Sequence, residues 1–242
     1  MRARTLVLPL FLFLAVGCAT QKKPLLPVPE ALESAALLEV KRNRTGLGPR
    51  PMSFGEWQVN GFDRKGFPGN RSWSVGGEDA SYGQSRGFAK YSFRLTPAGR
   101  EEWECDCRFD RHSRNVGLGS RNDSIGITLT YEDSLQCDLR RAGDADPWKL
   151  VVDGSLFLGG QGYAGTLTHG DHVLHLQPNH QITGLGRLPG SPLGYVFVRD
   201  RQELAAAELI HPGYVRIDDT AGEDRDAIAT AAAALLMQPS GF

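Results

Sequence analysis

The sequence predicts a mainly β fold: an antiparallel barrel or sandwich of about ten to twelve short strands, with one buried apolar helix at the C-terminus. Three observations lead there. The 29 glycines are scattered through turn-like dipeptides, as a chain of many short strands requires. Apolar and charged residues alternate with period two, clearest where Trp103, Cys105, Cys107 and Phe109 interleave with Glu104, Asp106 and Arg108. Finally, Ala227 to Met237 is apolar on every side except at Thr230, and a helix without a polar face must be buried all round. No strand–helix alternation of the parallel kind is visible. The 242 residues carry a formal net charge of −1 with no break in composition, so a single β-rich domain is expected, and no basic excess points to nucleic acid.

Residues 1–17 have the order of a secretory leader. Arg2 and Arg4 form a basic start, Leu6 to Val16 is an apolar run broken by Pro9, and small residues lead to Cys18. The run is too short to span a bilayer comfortably. Leu14-Ala15-Val16-Gly17-Cys18 resembles a bacterial lipobox, although Ala15 stands where a larger aliphatic is commoner. The resemblance implies cleavage before Cys18, a diacylglyceryl group on its sulfur, and a stable two- or three-chain membrane anchor. Ala19, not Asp, follows the cysteine, which resembles the pattern for outer-membrane sorting with the domain facing the periplasm.

Residues 18–51 read as a lipidated tether. Pro24, Pro27 and Pro29 keep it extended, and Glu30 to Lys41 has helical spacing at Leu32, Ala35, Ala36 and Val40. Lys41, Arg42, Arg44 and Arg50 form a basic cluster that either touches anionic headgroups or is a solvated linker.

Residues 52–242 form the β-rich domain. Trp57, Val59 and Phe62 begin it, Trp73 and Val75 mark a short strand, and Phe88 to Leu95 a clearer one. Ile125 to Tyr131 and Leu135 to Arg140 read as a hairpin joined by Glu132-Asp133-Ser134. Asp153-Gly154 reads as a turn between Trp148–Val152 and Ser155–Leu158. His169-Gly170-Asp171-His172 and Asp200-Arg201-Gln202 are further turns, and Tyr214 to Ile217 is the last strand. The C-terminal helix covers 220–238. Thr220 and Glu223 fit a capping box at its start, and Pro239 and Gly241 stop it.

The order of many strands and then an acidic-capped apolar helix resembles the tubby C-terminal-like group, which includes the phospholipid scramblases. The resemblance covers about 52–242 and rests on architecture, with no residue motif. It implies a barrel closed around its C-terminal helix and an association with membrane lipid. The alternative is a sandwich or lipocalin-like barrel with the helix packed outside.

Besides Cys18, three cysteines remain. Cys105 and Cys107 share a strand face, so either can meet Cys137 in a disulfide, which the exported compartment permits. A zinc reading would add His112 to the three, and a second metal reading would use His169, His172, His175 and His180 around one hairpin; neither has the paired spacing of a zinc motif, and no metal or cofactor is assigned. Asp106, Asp110, Glu132 and Asp138 read as exposed strand-face charges, and no catalytic set is identified. The functional expectation is a membrane-anchored envelope lipoprotein acting as a non-enzymatic binding or structural module, whose partners beyond the membrane are envelope proteins or lipids. The alternatives are a lipid-binding or lipid-transfer barrel and, third, an envelope enzyme.

Overall fold

The computed structural model describes residues 26–42, 51–65, 71–76, 80–118, 125–157, 160–187 and 191–238. The leader, Cys18, Arg44 and Arg50 lie outside the described residues. Among the described residues sixteen strands occur in chain order: Leu38–Glu39 (β1), Lys41–Arg42 (β2), Met52–Phe54 (β3), Trp57–Lys65 (β4), Arg71–Gly76 (β5), Ala80–Pro97 (β6), Trp103–Leu118 (β7), Ile125–Arg141 (β8), Trp148–Phe157 (β9), Gly160–His169 (β10), His172–Asn179 (β11), Gln181–Ile182 (β12), Gly186–Arg187 (β13), Gly194–Arg199 (β14), Gln202–Glu208 (β15) and Tyr214–Ile217 (β16). A 3-10 segment, Asp219–Asp224, leads into the helix Arg225–Met237 (α1).

The sheet is antiparallel and runs in the order β1-β16-β15-β14-β11-β10-β9-β8-β7-β6-β4-β3-β2. Its two ends belong to one run of chain. Leu38 and Glu39 pair with Val215 and Tyr214 on one side, and Lys41 and Arg42 pair with Ser53 and Met52 on the other. Between them Val40 is buried and donates its amide to the Gly213 carbonyl at 3.0 Å. The sheet therefore comes round on itself as a nearly closed barrel, with residues 38–42 at the seam.

The barrel surrounds α1, as the all-apolar helix requires. Every residue from Ala227 to Ala234 is fully buried. The run Ala231 to Ala234 keeps the helix slim, so wall residues such as Phe93, Phe109, Leu135 and Leu167 close over it. Both helix ends are keyed to the wall. Tyr91 donates its hydroxyl to the Ala234 carbonyl at 2.8 Å, and Arg42 donates Nη2 to the Leu236 carbonyl at 3.0 Å, satisfying carbonyls left over at a helix C-terminus. At the other end Trp57 Nε1 donates to Asp226 Oδ1 at 2.8 Å, with Arg100 at 3.2 Å from the same oxygen. Thr230, the lone polar side chain of the run, donates back to the Asp226 carbonyl.

Four local expectations need correction. Residues 30–41 are not a helix but one 3-10 turn, Glu30–Leu32, followed by the seam strand. The carbonyls of Leu32 and Ala35 accept from Arg216 Nη1, so they do not propagate a helix, and pairing with β16 and β3 takes the residues beyond. Glu132-Asp133-Ser134 is not a turn; β8 runs straight through it. Asp153-Gly154 likewise lies inside β9, and Gly154 has a different reason to be glycine. It stands opposite Tyr163 of β10, and a Cβ there would come within 1.8 Å of the Tyr163 ring. The Thr220–Glu223 capping box does not form. Asp218 accepts from the Thr220 amide and hydroxyl, Gly222 turns the chain at φ 56°, and α1 begins only at Arg225. The strands are also more numerous than expected, and three are long: β6, β7 and β8 have 18, 16 and 17 residues.

That length carries β6–β8 past the barrel. β4 pairs with the half of β6 from Lys90 to Pro97, whereas β5 pairs with the far half, from Ser81 to Arg86. Among the described residues no helix is long and apolar enough to cross a membrane. The packed chain includes residues ahead of Met52, since Leu26, Leu32 and Val40 are all buried.

Candidate functional site

The two ends of the barrel differ. At the end where α1 starts, tight turns close over it. One is the two-residue hairpin between Arg199 and Gln202, where Asp200 and Arg201 have φ of 50° and 68°. At the end where α1 stops, the wall opens. β10 pairs with β9 from Gly160 to Thr168 but with β11 only from Gly165 to His169. Beyond Leu176, β11 keeps only β14, which pairs with its other edge from His175 to Asn179. The fork so formed opens a recess of about 510 Å³ over the last turn of α1. That is within the usual range for a small-molecule site. This open end is the mouth of the barrel.

Its polar lining is built from strand parity. Phe109 and Leu135 point inward, so Arg111 and Asp133, two residues on along β7 and two back along β8, point inward too. They are register partners and form a bidentate ion pair, Nε to Oδ1 at 2.9 Å and Nη2 to Oδ2 at 3.2 Å. The side chains are 13% and 8% exposed, so the pair is largely withdrawn from water. The Arg111 guanidinium also lies 5.2 Å from the centre of the Phe109 ring. Tyr163 and Tyr195 stand on the two branches of the fork. Burial raises the pKa of both phenols, and the charge of Asp133 adds to this, so both stay protonated and can donate. His180, buried and 5.9 Å from the Tyr163 ring, is held toward its neutral form first by burial and then by Arg187. The recess thus presents hydrogen-bonding groups and one fixed ion pair.

The residues singled out in the sequence are dispersed. Cys107 and Cys137 are register partners on β7 and β8 and form a disulfide, with S–S 2.06 Å. Cys105 is a buried free thiol with its Sγ 3.5 Å from that of Cys107. Burial first, and the Asp106 and Asp138 charges second, push its pKa well up. The three sulfurs do cluster, but two are bonded to each other, and His112 lies elsewhere, paired with Gln84 and 3.7 Å from Glu132. His169 and His172 flank Trp148 at the end opposite the mouth, with ring centres at 5.1 and 6.0 Å. His175 is exposed. Asp106 stands opposite Asp138 on the outer face, and Asp110 pairs with Arg108. Of the basic cluster, Lys41 is exposed and Arg42 is turned onto the end of α1.

Sequence reasoning missed Arg111, Asp133, Tyr163 and Tyr195. One signal was present: a charged residue at an inward parity, as at Asp133 before Leu135, Cys137 and Leu139. Comparison with protein-family models, with curated proteins and with solved structures returns no match.

Proposed function

We propose that this chain is a lipid-anchored envelope lipoprotein whose barrel is a non-enzymatic binding or structural module, held with its mouth toward the membrane. The observation that carries the reading is the enclosed helix. A lipid carrier needs an apolar cavity, and here the barrel axis is filled by residues 227–236. Among the described residues the concavity over that axis is the mouth, where Arg111, Asp133 and two tyrosines stand beside Leu209, Leu235 and Leu236.

The orientation follows from where the chain enters. The Leu26 amide donates to Glu208 Oε2 at 3.2 Å, and Asn179 donates to the Pro27 carbonyl at 3.5 Å. Asn179, Gly194 and Glu208 are successive register partners at the mouth end of β11, β14 and β15. With Cys18 lipidated, the run 19–26 reaches at most roughly 28 Å, so the mouth end is the end tied to the bilayer.

The test is hydrogen exchange on the lipidated protein in liposomes against the unlipidated protein in solution. Slower exchange is expected at 191–193 and 209–213, with 98–102 and 200–201 unchanged. Protection confined to the latter two would overturn the orientation. A tightly bound acyl lipid co-purifying with the unlipidated barrel would favour the carrier reading instead.

A further inference from the structure

We propose that His172, Glu223 and Asp224 form a binding site for a divalent transition-metal ion of the zinc class, at the barrel end opposite the mouth. One ligand atom from each residue lies within 4.8 Å of the other two. His172 Nδ1 and Asp224 Oδ1 are 3.5 Å apart. Two donors on one tetrahedral zinc, each at about 2.0–2.1 Å, sit roughly 3.4 Å from each other, so the pair already has a chelating separation.

The second observation is the state of Asp224. Its side chain is fully buried, and Oδ2 is taken by Arg199. Oδ1 has no hydrogen-bond donor among the described residues and faces His172. Buried carboxylate oxygens are almost always satisfied, and an orphan directed at an imidazole nitrogen is accounted for by a cation between them. Arg199 then serves as the outer partner that orients a ligating carboxylate. Two carboxylates face one guanidinium here, Arg199. The His172 side chain is 44% exposed and Glu223 is exposed, so an ion has a path in and the exposed ligands can adjust.

The local sequence places these groups together. His172 opens β11 from the two-residue turn after His169. Glu223 and Asp224 sit between the Gly222 turn and the first residue of α1. A bound ion would tie the β10–β11 hairpin to the start of the enclosed helix. Mixed nitrogen and oxygen ligation suits zinc or cobalt better than calcium or magnesium.

Equilibrium dialysis of the untagged full chain against Zn²⁺ tests this, with thermal melting and Co²⁺ absorption alongside. The expected result is about one ion per chain, a rise in Tm on adding Zn²⁺, and visible Co²⁺ bands of tetrahedral intensity. His172→Ala and Glu223→Gln should each weaken binding at least about tenfold and abolish the Tm rise. Both residues reach solvent, so these variants keep the fold; Asp224→Asn would strand Arg199 and is not used. Tryptophan fluorescence, quenched by Co²⁺ in the parent and not in His172→Ala or Trp148→Phe, reports the location. No uptake, or uptake equal in all three proteins, overturns the site. So does stabilisation that follows the protonation of His172 with no response to Zn²⁺.

Discussion

The enclosure of α1 makes a quantitative prediction for Ala231, Ala232, Ala233 and Ala234. Successive helix positions point about 100° apart, so these four sample nearly the whole circumference. All four are fully buried. An Asp at any of them meets barrel wall with no partner for its charge. Keeping that carboxyl neutral at pH 7, well above its usual pKa near 3.9, costs about 4 kcal/mol, before any steric cost. A domain of this kind is stable by only about 5–15 kcal/mol. For a domain of roughly this size, 4 kcal/mol corresponds to about 8–16 °C in Tm. Each of the four Ala→Asp variants should therefore lose at least that much at pH 7, or fail to accumulate as folded protein. The raised pKa has a sign that can be checked. The penalty is present above the unfolded pKa and shrinks as pH falls toward 4, so the gap to the parent should narrow there. Circular dichroism melts at pH 7 and pH 4.5 give both numbers. A helix lying outside the barrel would leave at least one position tolerant. A single variant melting within about 2 °C of the parent at pH 7 would refute the enclosure.

Three further outcomes follow from individual contacts. Asp133→Ala should cost about 3–5 kcal/mol in urea unfolding, because it removes the bidentate carboxylate from a largely buried guanidinium, whereas Arg111→Met with Asp133→Leu should recover most of that loss. Gly154→Ala should destabilise by about 1–3 kcal/mol by displacing the Tyr163 ring, and a double-mutant cycle with Tyr163→Ala should show the two changes to be strongly non-additive. Cys105 and Tyr91 are fully buried, and burial holds both well above their ordinary values of 9.0 and 10.0. Their unfolded forms lose protons that the folded forms keep, so stability is full below about pH 9 and falls above it, by up to about 1.4 kcal/mol per pH unit for each group. Cys105→Ala should flatten the fall between pH 9 and 10, and an unchanged slope would contradict the assignment.

What was legible in the sequence was what local pattern encodes. The C-terminal helix could be read because Ala227 to Met237 has no polar face, and only enclosure satisfies that. The walls could be read where alternation was unbroken, as at 103–109. Two strands were cut short because their interruptions carry tertiary meaning. Asp133 breaks an apolar strand as one half of a buried ion pair with Arg111, and Gly154 does so to admit Tyr163. Neither partner is close in sequence. The seam at 38–42 was hidden for the same reason, since its partners are at 52–53 and 214–215. Parity alone left Cys105 and Cys107 equal candidates for Cys137, and only the register between β7 and β8, which sets Cys107 opposite, separates them. The mouth depends on β10 and β11 parting beyond Gly165 and Leu176 while β14 stays on the other edge of β11, which no local pattern records.

The reading of this barrel as a membrane-tethered module rests on Cys18. Intact-mass and peptide mass spectrometry of the protein purified from membranes tests it most directly. The account predicts an N-terminal peptide that begins at Cys18 and carries the added mass of two or three acyl chains. A chain without acyl mass, whether cut near residue 18 or uncut, would contradict it and leave the mouth with no membrane to face.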